Sequence, residues 1–364
     1  MKILLLGEYS NVHSTLARGL KTLGHKVTVA SNGDFWKNYP RDISLVREYT
    51  RWGGIKYSAK LLANLPRMCG YDVVQLINPM FLELKAERIF SIYDFLRKHN
   101  KHMFLGAFGM DYYLVHTNTF EKPLEYSDFN FGDKLRTNAD AVKEQRDWLG
   151  TAKEKLNKYI ANDCDGIVTG LYEYDICYRP VFPNKTHFIP FPIECPDVDM
   201  NFKKPEKVKI FIGIQKSRSE YKGTDIMYAA AKDVLAKHPD KMELLKAENV
   251  PFDEYCRMMN GSDAILDQLY SYTPSMNPLL GMSKGLICIG GGEQGNYDII
   301  NETKLRPIIN VKPTYESVYY ELEELVLHPE RIPQLKRESI EYVRKHHDIM
   351  KVAKKYEHMY MNTK

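Results

Sequence analysis

Residues 264–292 read AILDQLYSYTPSMNPLLGMSKGLICIGGG, and this segment carries the pattern that decides the fold. Short apolar runs at 264–266 and 286–289 lie close to turn signals, which predicts two buried strands. A short helix ending at Lys284 separates them, because Gly285 is a typical residue just after a helix end. The segment is therefore predicted to form a strand–loop–helix–strand unit.

The start of this helix has two candidate positions. Thr273-Pro274 and Asn277-Pro278 each place a capping residue before a proline, and the sequence does not choose between them. A helix start at the carboxyl end of a parallel strand presents free N–H groups and a partial positive charge, which suits a phosphate. The alternative is an ordinary repeat of an open α/β sheet with no ligand at this position.

Strands and helices alternate on both sides of this unit, which predicts an α/β protein. A proline-rich segment at 190–199 separates two such halves, so we expect two domains with a ligand cleft between them. The other predicted strands cover residues 2–6, 25–31, 72–78, 102–108, 165–169, 187–191, 208–214, 242–247 and 306–311.

Composition excludes several classes of protein. A net charge of +4 over 364 residues is too small for a dense nucleic-acid-binding face. None of the six cysteines forms a CxxC pair, and no metal-binding cluster is visible, which favours free thiols in a reducing compartment. The chain begins directly with a strand and has no apolar segment long enough to span a bilayer, so we expect a cytoplasmic protein.

The turn after the first strand argues against a dinucleotide cofactor. Gly7 is followed by Glu8, Tyr9, Ser10 and Asn11, with no second glycine. A pyrophosphate cradle needs closely spaced glycines, and the Glu8 carboxylate would repel the phosphates. This turn is better suited to hydrogen-bonding a hydroxyl-rich molecule.

Two further loops carry candidate site residues. The cations Lys216, Arg218 and Lys222 follow the strand at 208–214, where they could hold a diphosphate; the alternative is an ordinary basic surface loop. Asp111 follows the strand at 102–108, at the edge where open α/β sheets place their sites.

Three longer segments have no regular strand pattern or carry many charges. The long, aromatic segment 112–133 is predicted to be a site-covering loop, and 139–162 a single charged helix. The aromatic and basic segment 35–68 is interpreted as an insertion with a helix. It either contacts an acceptor or a membrane, or it simply covers the sheet with solvated charges.

The chain resembles glycosyltransferases of the GT-B class, most of all glycosyltransferase family 4 and its relatives in bacterial capsule and surface-polysaccharide clusters. The resemblance is strongest from Val208 to His347. The segments that carry it are IGIQKSRSEYKGTD, the core from Ser262 to Glu293, LRPIINV, and the ending VRKHHDIMKVAKKYEHMY.

The resemblance implies an α/β fold of the GT-B class, in which two Rossmann-like domains with parallel sheets face each other across a cleft. Residues 1–200 would form the acceptor-side domain, with the C-terminal helix 348–364 packing back onto it. Residues 201–347 would bind the nucleotide-sugar.

The implied activity is transfer of a sugar from a nucleotide-diphosphate-sugar to a glycan or lipid-linked hydroxyl in surface-polysaccharide biosynthesis. The enzyme would be a metal-independent hexosyltransferase without a cofactor, and it could work at the inner face of the membrane. The alternatives are a nucleotide-sugar epimerase of the same fold, and a non-catalytic partner that binds sugar nucleotides.

The resemblance also assigns donor-site residues. Lys222 matches the lysine of the family's Lys-Gly pair, whereas the family's arginine falls on Ser217, so Lys216 or Arg218 must replace it. We favour Arg218, because its planar fork can bind a phosphate through two hydrogen bonds. The phosphates would also meet the backbone N–H groups of Ser275, Met276 and Asn277.

One departure from the family concerns its Glu-x7-Glu pair, which contacts the sugar and the ribose. The matching positions are Tyr272 and Leu280, and neither is acidic. The ribose contact is expected to come from Asp267 or Glu293, or to be missing, and Glu293 is also expected near the sugar or acceptor. The residues implied beside the base are Glu248, Asn249 and Val250.

In the first domain, the resemblance places the loop 7–13 at the acceptor and the sugar. Met110-Asp111 falls where the family often carries a His-Asp pair. Asp111 is therefore the preferred polar contact or base for the acceptor, and His13 is the alternative catalytic residue.

Overall fold

The computed structural model describes residues 1–248 and 250–363, and the chain divides into two compact units. The first unit consists of Met1–Thr117, Glu144–Pro192 and Ile349–Lys364. The second consists of Asn118–Lys143 and Ile193–Asp348.

The described residues form fourteen strands: eleven overlap the predicted apolar runs, whereas the two-residue strands at 43–44, 130–131 and 134–135 were not predicted. In chain order they are β1 Lys2–Leu6, β2 Lys26–Ser31, β3 Ile43–Ser44, β4 Val73–Leu76, β5 His102–Ala107, β6 Asn130–Phe131, β7 Lys134–Leu135, β8 Gly166–Thr169, β9 Thr186–Phe188, β10 Val208–Ile214, β11 Met242–Glu248, β12 Ala264–Leu266, β13 Ile287–Gly290 and β14 Ile309–Asn310.

The helices connect these strands and end the chain. In order they are α1 Val12–Thr22, α2 Gly53–Asn64, α3 Ala86–His99, α4 Tyr112–His116, α5 Ala139–Trp148, α6 Ala152–Asp163, α7 Tyr172–Tyr178, α8 Ser219–Lys222, α9 Thr224–Lys237, α10 Phe252–Met259, α11 Met276–Ser283, α12 Gln294–Ile299, α13 Tyr315–Leu327, α14 Ile332–His346 and α15 Ile349–Asn362.

The first unit contains a parallel sheet of seven strands in the order β3-β2-β1-β4-β5-β8-β9. Its central strand β1 is almost entirely apolar, and Ile3, Leu4, Leu5 and Leu6 are fully buried. A parallel sheet needs such strands because helices cover both of its faces. Burying each of these side chains stabilises the fold by about 1.5–3 kcal/mol.

The second unit contains a parallel sheet of five strands in the order β11-β10-β12-β13-β14. Ile210 and Ile212 of β10 point into a core that also holds Met227 and Ala230 of α9. Parallel strands end at the same edge of a sheet, so the loops after β10, β12, β13 and β14 emerge side by side.

The last helix of the chain belongs to the first unit, although the helix before it belongs to the second. Helix α15 packs on α1, where Gly19 leaves room for it: a Cβ atom on Gly19 would lie 2.8 Å from the Cβ atom of Ala353. The hydroxyl of Tyr360 donates a hydrogen bond to the side-chain oxygen of Gln75 in β4. These contacts hold the end of the chain against the first sheet.

Two predicted helices differ from the observed ones. The predicted helix 139–162 is wrong as a single element, because Gly150 has a φ of +70° and breaks it, and the Thr151 side chain caps the next helix. Neither proline begins the helix that ends near Lys284. It begins at Met276, with Ser275 in the extended conformation of an N-cap residue.

Residues 118–143 are here called the strap. They include most of the predicted loop 112–133 and extend to the start of the following helix. They contain most of a five-residue π-helical turn, Thr117–Glu121, and a small antiparallel hairpin of β6 and β7. The sequence-based boundary puts the strap in the first domain, whereas in the structure it groups with the second unit.

Candidate functional site

The predicted cationic loop lies at the carboxyl end of β10. It consists of a 3₁₀ turn, Lys216–Arg218, followed by the one-turn helix α8, which ends at Gly223 with a φ of +72°. The N–H of Leu269 donates a 2.9 Å hydrogen bond to the Lys222 carbonyl. The cationic loop therefore lies directly beside the loop that follows β12.

The three predicted cations have different surroundings. The guanidinium of Arg218 lies 4.8 Å from the centre of the Tyr221 ring. Lys216 is exposed and close to Glu248, whose pKa is lowered first by a hydrogen bond from Lys246 and also by the charge of Lys216. Lys222 is partly buried. Lys216 is therefore close enough to Glu248, one of the residues predicted to lie beside the base, for its charge to act on that carboxylate.

The start of α11 has the geometry that suits an anion. Ser275 makes no side-chain cap, so the first N–H groups of the helix keep their outward direction. The Asn277 amide donates a 2.7 Å hydrogen bond to the Tyr255 hydroxyl. The Tyr255 ring in turn fills the space where a Cβ atom on Gly213 would lie, at the end of β10.

Asp267 lies near this group, at the end of β12. Its carboxylate is buried, and its charge acts to raise the pKa of Tyr255, after the larger effect of burial. Val250 packs against the apolar cluster that includes Phe211. Asn249, which was predicted to contact the base, lies outside the described residues.

Glu293 is held by three donors at once. One carboxylate oxygen, Oε1, accepts hydrogen bonds from the Tyr126 hydroxyl at 2.7 Å, the Asn310 amide at 2.9 Å and the Lys312 ammonium at 3.0 Å. Burial acts to raise the pKa of Glu293, but these hydrogen bonds outweigh it and lower the pKa. Glu293 is therefore an ionised carboxylate in a fixed position.

Sequence reasoning missed Tyr126, Asn310 and Lys312 as the partners of Glu293. Asn310 lies near the end of the predicted last strand, 306–311, and Lys312 directly follows it, so their place at the same edge could have been inferred. Tyr126 lies in the strap, 167 residues before Glu293, and no local pattern indicates that contact.

In the first unit, the Glu8 side chain caps the start of α1. Its two carboxylate oxygens accept hydrogen bonds from the backbone N–H groups of His13 and Ser14, at 3.2 Å and 2.8 Å. Burial raises the pKa of Glu8 to about 7, although these hydrogen bonds oppose the shift. The carboxylate caps the helix, while Ser10 and Asn11 adopt left-handed conformations with φ of 51° and 71°.

His13 is fully buried behind this turn. Its Nδ1 lies 2.8 Å from the Gly7 carbonyl oxygen, so this nitrogen carries the proton and donates it. Burial lowers the pKa of His13 to about 4, which keeps the ring neutral. Within the described part of the chain its Nε2 has no hydrogen-bond partner.

Asp111 is also fully buried and caps α4. Its carboxylate accepts hydrogen bonds from the N–H of Leu114 at 2.9 Å and from the Tyr178 hydroxyl at 2.8 Å. Burial raises the pKa of Asp111 to about 7. The Tyr9 ring packs against Gly109, two residues earlier, so the turns after β1 and β5 adjoin.

No three His, Cys, Asp or Glu side chains among residues 1–248 and 250–363 are grouped so that they could hold a metal ion. In the same part of the chain, every helix is too short or too polar to cross a bilayer.

The two parallel sheets and the returning C-terminal helix define a GT-B fold, as the resemblance implied. Solved structures that share it include sucrose-phosphate synthase from Thermosynechococcus elongatus. The TM-score is 0.64 at 12% identity, over 99% of this chain and 98% of that one. No family model matches the chain, and no curated protein sequence matches it.

Two further solved structures are similar over the full length of both chains. HepE from Anabaena, in complex with UDP and glucose, has a TM-score of 0.60 at 10% identity. WaaG, a glycosyltransferase involved in lipopolysaccharide biosynthesis, has a TM-score of 0.54 at 13% identity. Because the identities are low, this likeness shows only that the chain has the same fold.

Proposed function

We propose that this protein is a glycosyltransferase that uses a UDP-sugar as its donor. The observation that carries the proposal is the carboxyl edge of the second sheet. There the cationic loop 216–222, the uncapped start of α11 and the anchored carboxylate of Glu293 follow neighbouring strands. UDP is chosen because HepE, which has the same fold, was solved with UDP and with glucose.

The donor would be activated by fixed positive charge. When the sugar leaves, negative charge builds up on the β-phosphate of the nucleoside diphosphate. Arg218, Lys222 and the N–H groups of Ser275, Met276 and Asn277 would stabilise that charge without a metal ion. Glu248, Val250 and Asp267 would lie on the side of the base and ribose, with Glu293 at the sugar.

The first unit would bind the acceptor, a glycan or lipid-linked hydroxyl in surface-polysaccharide biosynthesis. The turn with Tyr9, Ser10 and Asn11 supplies polar groups, and Asp111 would be the base or polar contact. A pKa of about 7 suits a base that works near neutral pH. His13 is the alternative, because its ring is neutral and its buried Nε2 has no hydrogen-bond partner in the described part of the chain.

The proposal includes a peripheral contact with a membrane surface, through α2. One face of this helix, with Tyr57 and Leu61, is buried in the first unit. On the opposite side, Trp52, which directly precedes the helix, and Ile55 and Leu62 within it recur at helical spacing and are 59%, 65% and 62% exposed. An apolar stripe of this kind matches the interfacial helices of peripheral membrane proteins.

Charge favours an anionic bilayer as the surface that this stripe contacts. Residues 35–68 contain seven Lys and Arg against two Asp and Glu, a net +5, whereas the whole chain carries only +4. Cations beside exposed aromatic side chains suit the headgroup region of anionic lipids. The excess positive charge of the chain therefore lies in the segment that contains α2.

Vesicle flotation tests this contact. The protein should float with vesicles of equal parts phosphatidylglycerol and phosphatidylcholine, and much less with phosphatidylcholine alone. The double variant Trp52→Ser and Leu62→Ser should lose this binding, whereas Tyr320→Ser, which removes an exposed aromatic residue of the second unit, should keep it. Equal flotation of all three proteins, or dimerisation through α2 in place of flotation, would contradict the proposal.

A nucleotide-sugar epimerase of the same fold is the second candidate. A putative UDP-N-acetylglucosamine 2-epimerase from Listeria monocytogenes shares the fold, with a TM-score of 0.52 at 8% identity. The third candidate is a non-catalytic partner that binds sugar nucleotides. It is favoured by Tyr272 and Leu280, which replace the two glutamates of the family. An epimerised sugar nucleotide formed without acceptor would favour the epimerase, and binding without transfer, epimerisation or hydrolysis would favour the partner.

Thermal unfolding with a panel of nucleoside diphosphates and their sugars tests the proposed function. A ligand that binds only the folded state raises the unfolding temperature by mass action. We expect UDP and at least one UDP-sugar to do so, and slow hydrolysis of that UDP-sugar to release UDP. If no member of the panel stabilises the protein, the proposed function is wrong.

A further inference from the structure

The strap, residues 118–143, contacts four loops at the carboxyl edge of the second sheet. Its contacts reach Glu220 and Tyr221 after β10, Tyr270 and Tyr272 after β12, Glu293 after β13 and Lys312 after β14. These are the loops that carry the proposed donor site, and the strap lies between 84 and 187 residues away from its partners in the sequence.

Arg136 makes the contacts on the phosphate side. One guanidinium nitrogen donates to the carbonyl oxygens of Glu220 and Tyr221, at 2.9 Å and 3.0 Å. The other donates to the carbonyls of Ser127 and Asp128, both at 3.3 Å, within the strap itself. Because both nitrogens donate to carbonyl oxygens, Arg136 links the strap to the loop that follows β10.

The carbonyls of Glu220 and Tyr221 belong to α8. A helix of one turn leaves its last carbonyls without partners, and a cation at its C-terminus satisfies them and complements the helix dipole. The Arg136 guanidinium also lies only 3.4 Å from the centre of the Tyr270 ring, which is a close cation–π contact. Arg136 therefore joins α8, which carries Lys222, to the loop after β12.

Tyr126 makes the contacts on the sugar side. Its ring packs on the Tyr272 ring with centroids 4.7 Å apart, and its hydroxyl donates to Oε1 of Glu293. Glu125 adds two links: its N–H donates to the Tyr272 hydroxyl, and its carboxylate pairs with Lys312 at 3.0 Å. Tyr272 occupies the position of a missing family glutamate, so the strap contacts the region where this chain departs from the pattern.

The strap is held in one conformation by its own buried side chains and hydrogen bonds. Tyr126, Phe129 and Asn130 are fully buried, and the Asn130 amide donates to the carbonyls of Leu124 and Gly132. Its geometry is therefore set before any ligand arrives, and it can impose that geometry on the loops it contacts.

We propose that the strap is a positioning element of the donor site, in which Arg136 orders the phosphate-binding helix α8 and Tyr126 orients Glu293 toward the donor sugar. This inference rests on the proposed function. Neither residue needs to touch the reacting atoms: Arg136 acts through Lys222, and Tyr126 acts through Glu293. Loss of Arg136 should weaken binding of the diphosphate, whereas loss of the Tyr126 hydroxyl should weaken recognition of the sugar.

Hydrogen–deuterium exchange of the ligand-free protein tests the first half. Arg136→Ala should make residues 219–223 exchange faster, Arg136→Lys should give an intermediate rate, and Lys134→Ala, an exposed cation on the same hairpin, should leave the rate unchanged. Added guanidinium ion should slow exchange in Arg136→Ala but not in the wild-type protein. An unchanged rate in Arg136→Ala would overturn the inference even if the protein binds no nucleotide.

Calorimetric titration tests the link to the donor. Misplacement of a binding group can weaken its effect ten- to a hundredfold, so UDP affinity should fall about tenfold or more in Arg136→Ala. In Tyr126→Phe, which keeps the ring on Tyr272, UDP affinity should stay within about twofold while UDP-sugar affinity falls about fivefold. Faster exchange with unchanged affinities would overturn the positioning role. Failure of the wild-type protein to bind UDP or a UDP-sugar would instead count against the proposed function.

Discussion

The hydroxyl of Tyr126 donates a 2.7 Å hydrogen bond to Oε1 of Glu293, across 167 residues of sequence. Asn310 and Lys312 donate to the same oxygen, so Oε1 accepts three hydrogen bonds from the protein itself. Oε2 accepts no hydrogen bond within the described part of the chain, and it is the oxygen that can accept one from a bound hydroxyl.

Glu293→Gln should therefore weaken binding of the donor sugar. The amide has the size of the carboxylate but lacks its charge, and hydrogen bonds to a charged group contribute about 1.5–3 kcal/mol. We expect UDP-sugar affinity to fall about tenfold with UDP affinity unchanged, measured by calorimetric titration. The control is Glu341→Gln, which alters an exposed carboxylate on α14. An equal loss of UDP and UDP-sugar affinity would contradict a sugar contact at Glu293.

Gly223→Ala should destabilise the second unit. Gly223 has a φ of +72°, and an added Cβ would lie 2.5 Å from the Cβ atom of Leu269, so both the backbone conformation and the packing oppose a side chain. Urea unfolding should show a loss of about 1–3 kcal/mol. Gly54→Ala, in the first turn of α2 with only the Arg47 guanidinium at 3.5 Å, should be neutral or slightly stabilising. Similar effects of both substitutions would contradict the conclusion that the backbone and packing at Gly223 exclude a side chain.

Glu8→Gln should flatten the pH dependence of stability. In the folded state burial raises the pKa of Glu8 to about 7 from its ordinary 4.5, so the folded protein keeps this proton to higher pH than the unfolded chain. The contribution of Glu8 is therefore most favourable below pH 4.5, and it is lost as the pH rises through about 7. Urea unfolding between pH 5 and pH 8 should show a smaller decline in Glu8→Gln than in the wild-type protein.

The matched control for that experiment is Glu87→Gln, an exposed carboxylate in the first turn of α3. It should leave the pH dependence as it is in the wild-type protein. If Glu8→Gln has the same slope as the wild-type protein, the carboxylate titrates in its ordinary range, and burial does not control it.

Most strands were predictable because burial on both faces of a parallel sheet demands continuous apolar runs. The runs at β1, β10 and β12 therefore mark strands within a residue or two. Helix ends were less predictable, as α5 and α6 show: only the left-handed backbone at Gly150 separates them. The start of α11 at Met276 was hidden by two prolines that looked like helix starts.

The candidate site was predictable only where it is local in sequence. The loop 216–222 and the start of α11 follow strands of one sheet, so their proximity can be inferred from the strand order expected of an α/β unit. The strap contacts depend on pairings between residues far apart, such as Arg136 with Glu220 and Tyr126 with Glu293. Those pairings are created by tertiary packing, and no periodicity or motif in the strap indicates them.

The proposed function depends on the cationic loop binding a diphosphate, and titration of UDP into the wild-type protein and Lys222→Ala tests this most directly. We predict that UDP binds the wild-type protein and that its affinity falls at least about tenfold in Lys222→Ala, since one charged hydrogen bond contributes about 1.5–3 kcal/mol. Lys232→Ala, an exposed lysine of α9, should bind UDP as the wild-type protein does. Equal affinity of Lys222→Ala and the wild-type protein, or no binding by either, would contradict the account.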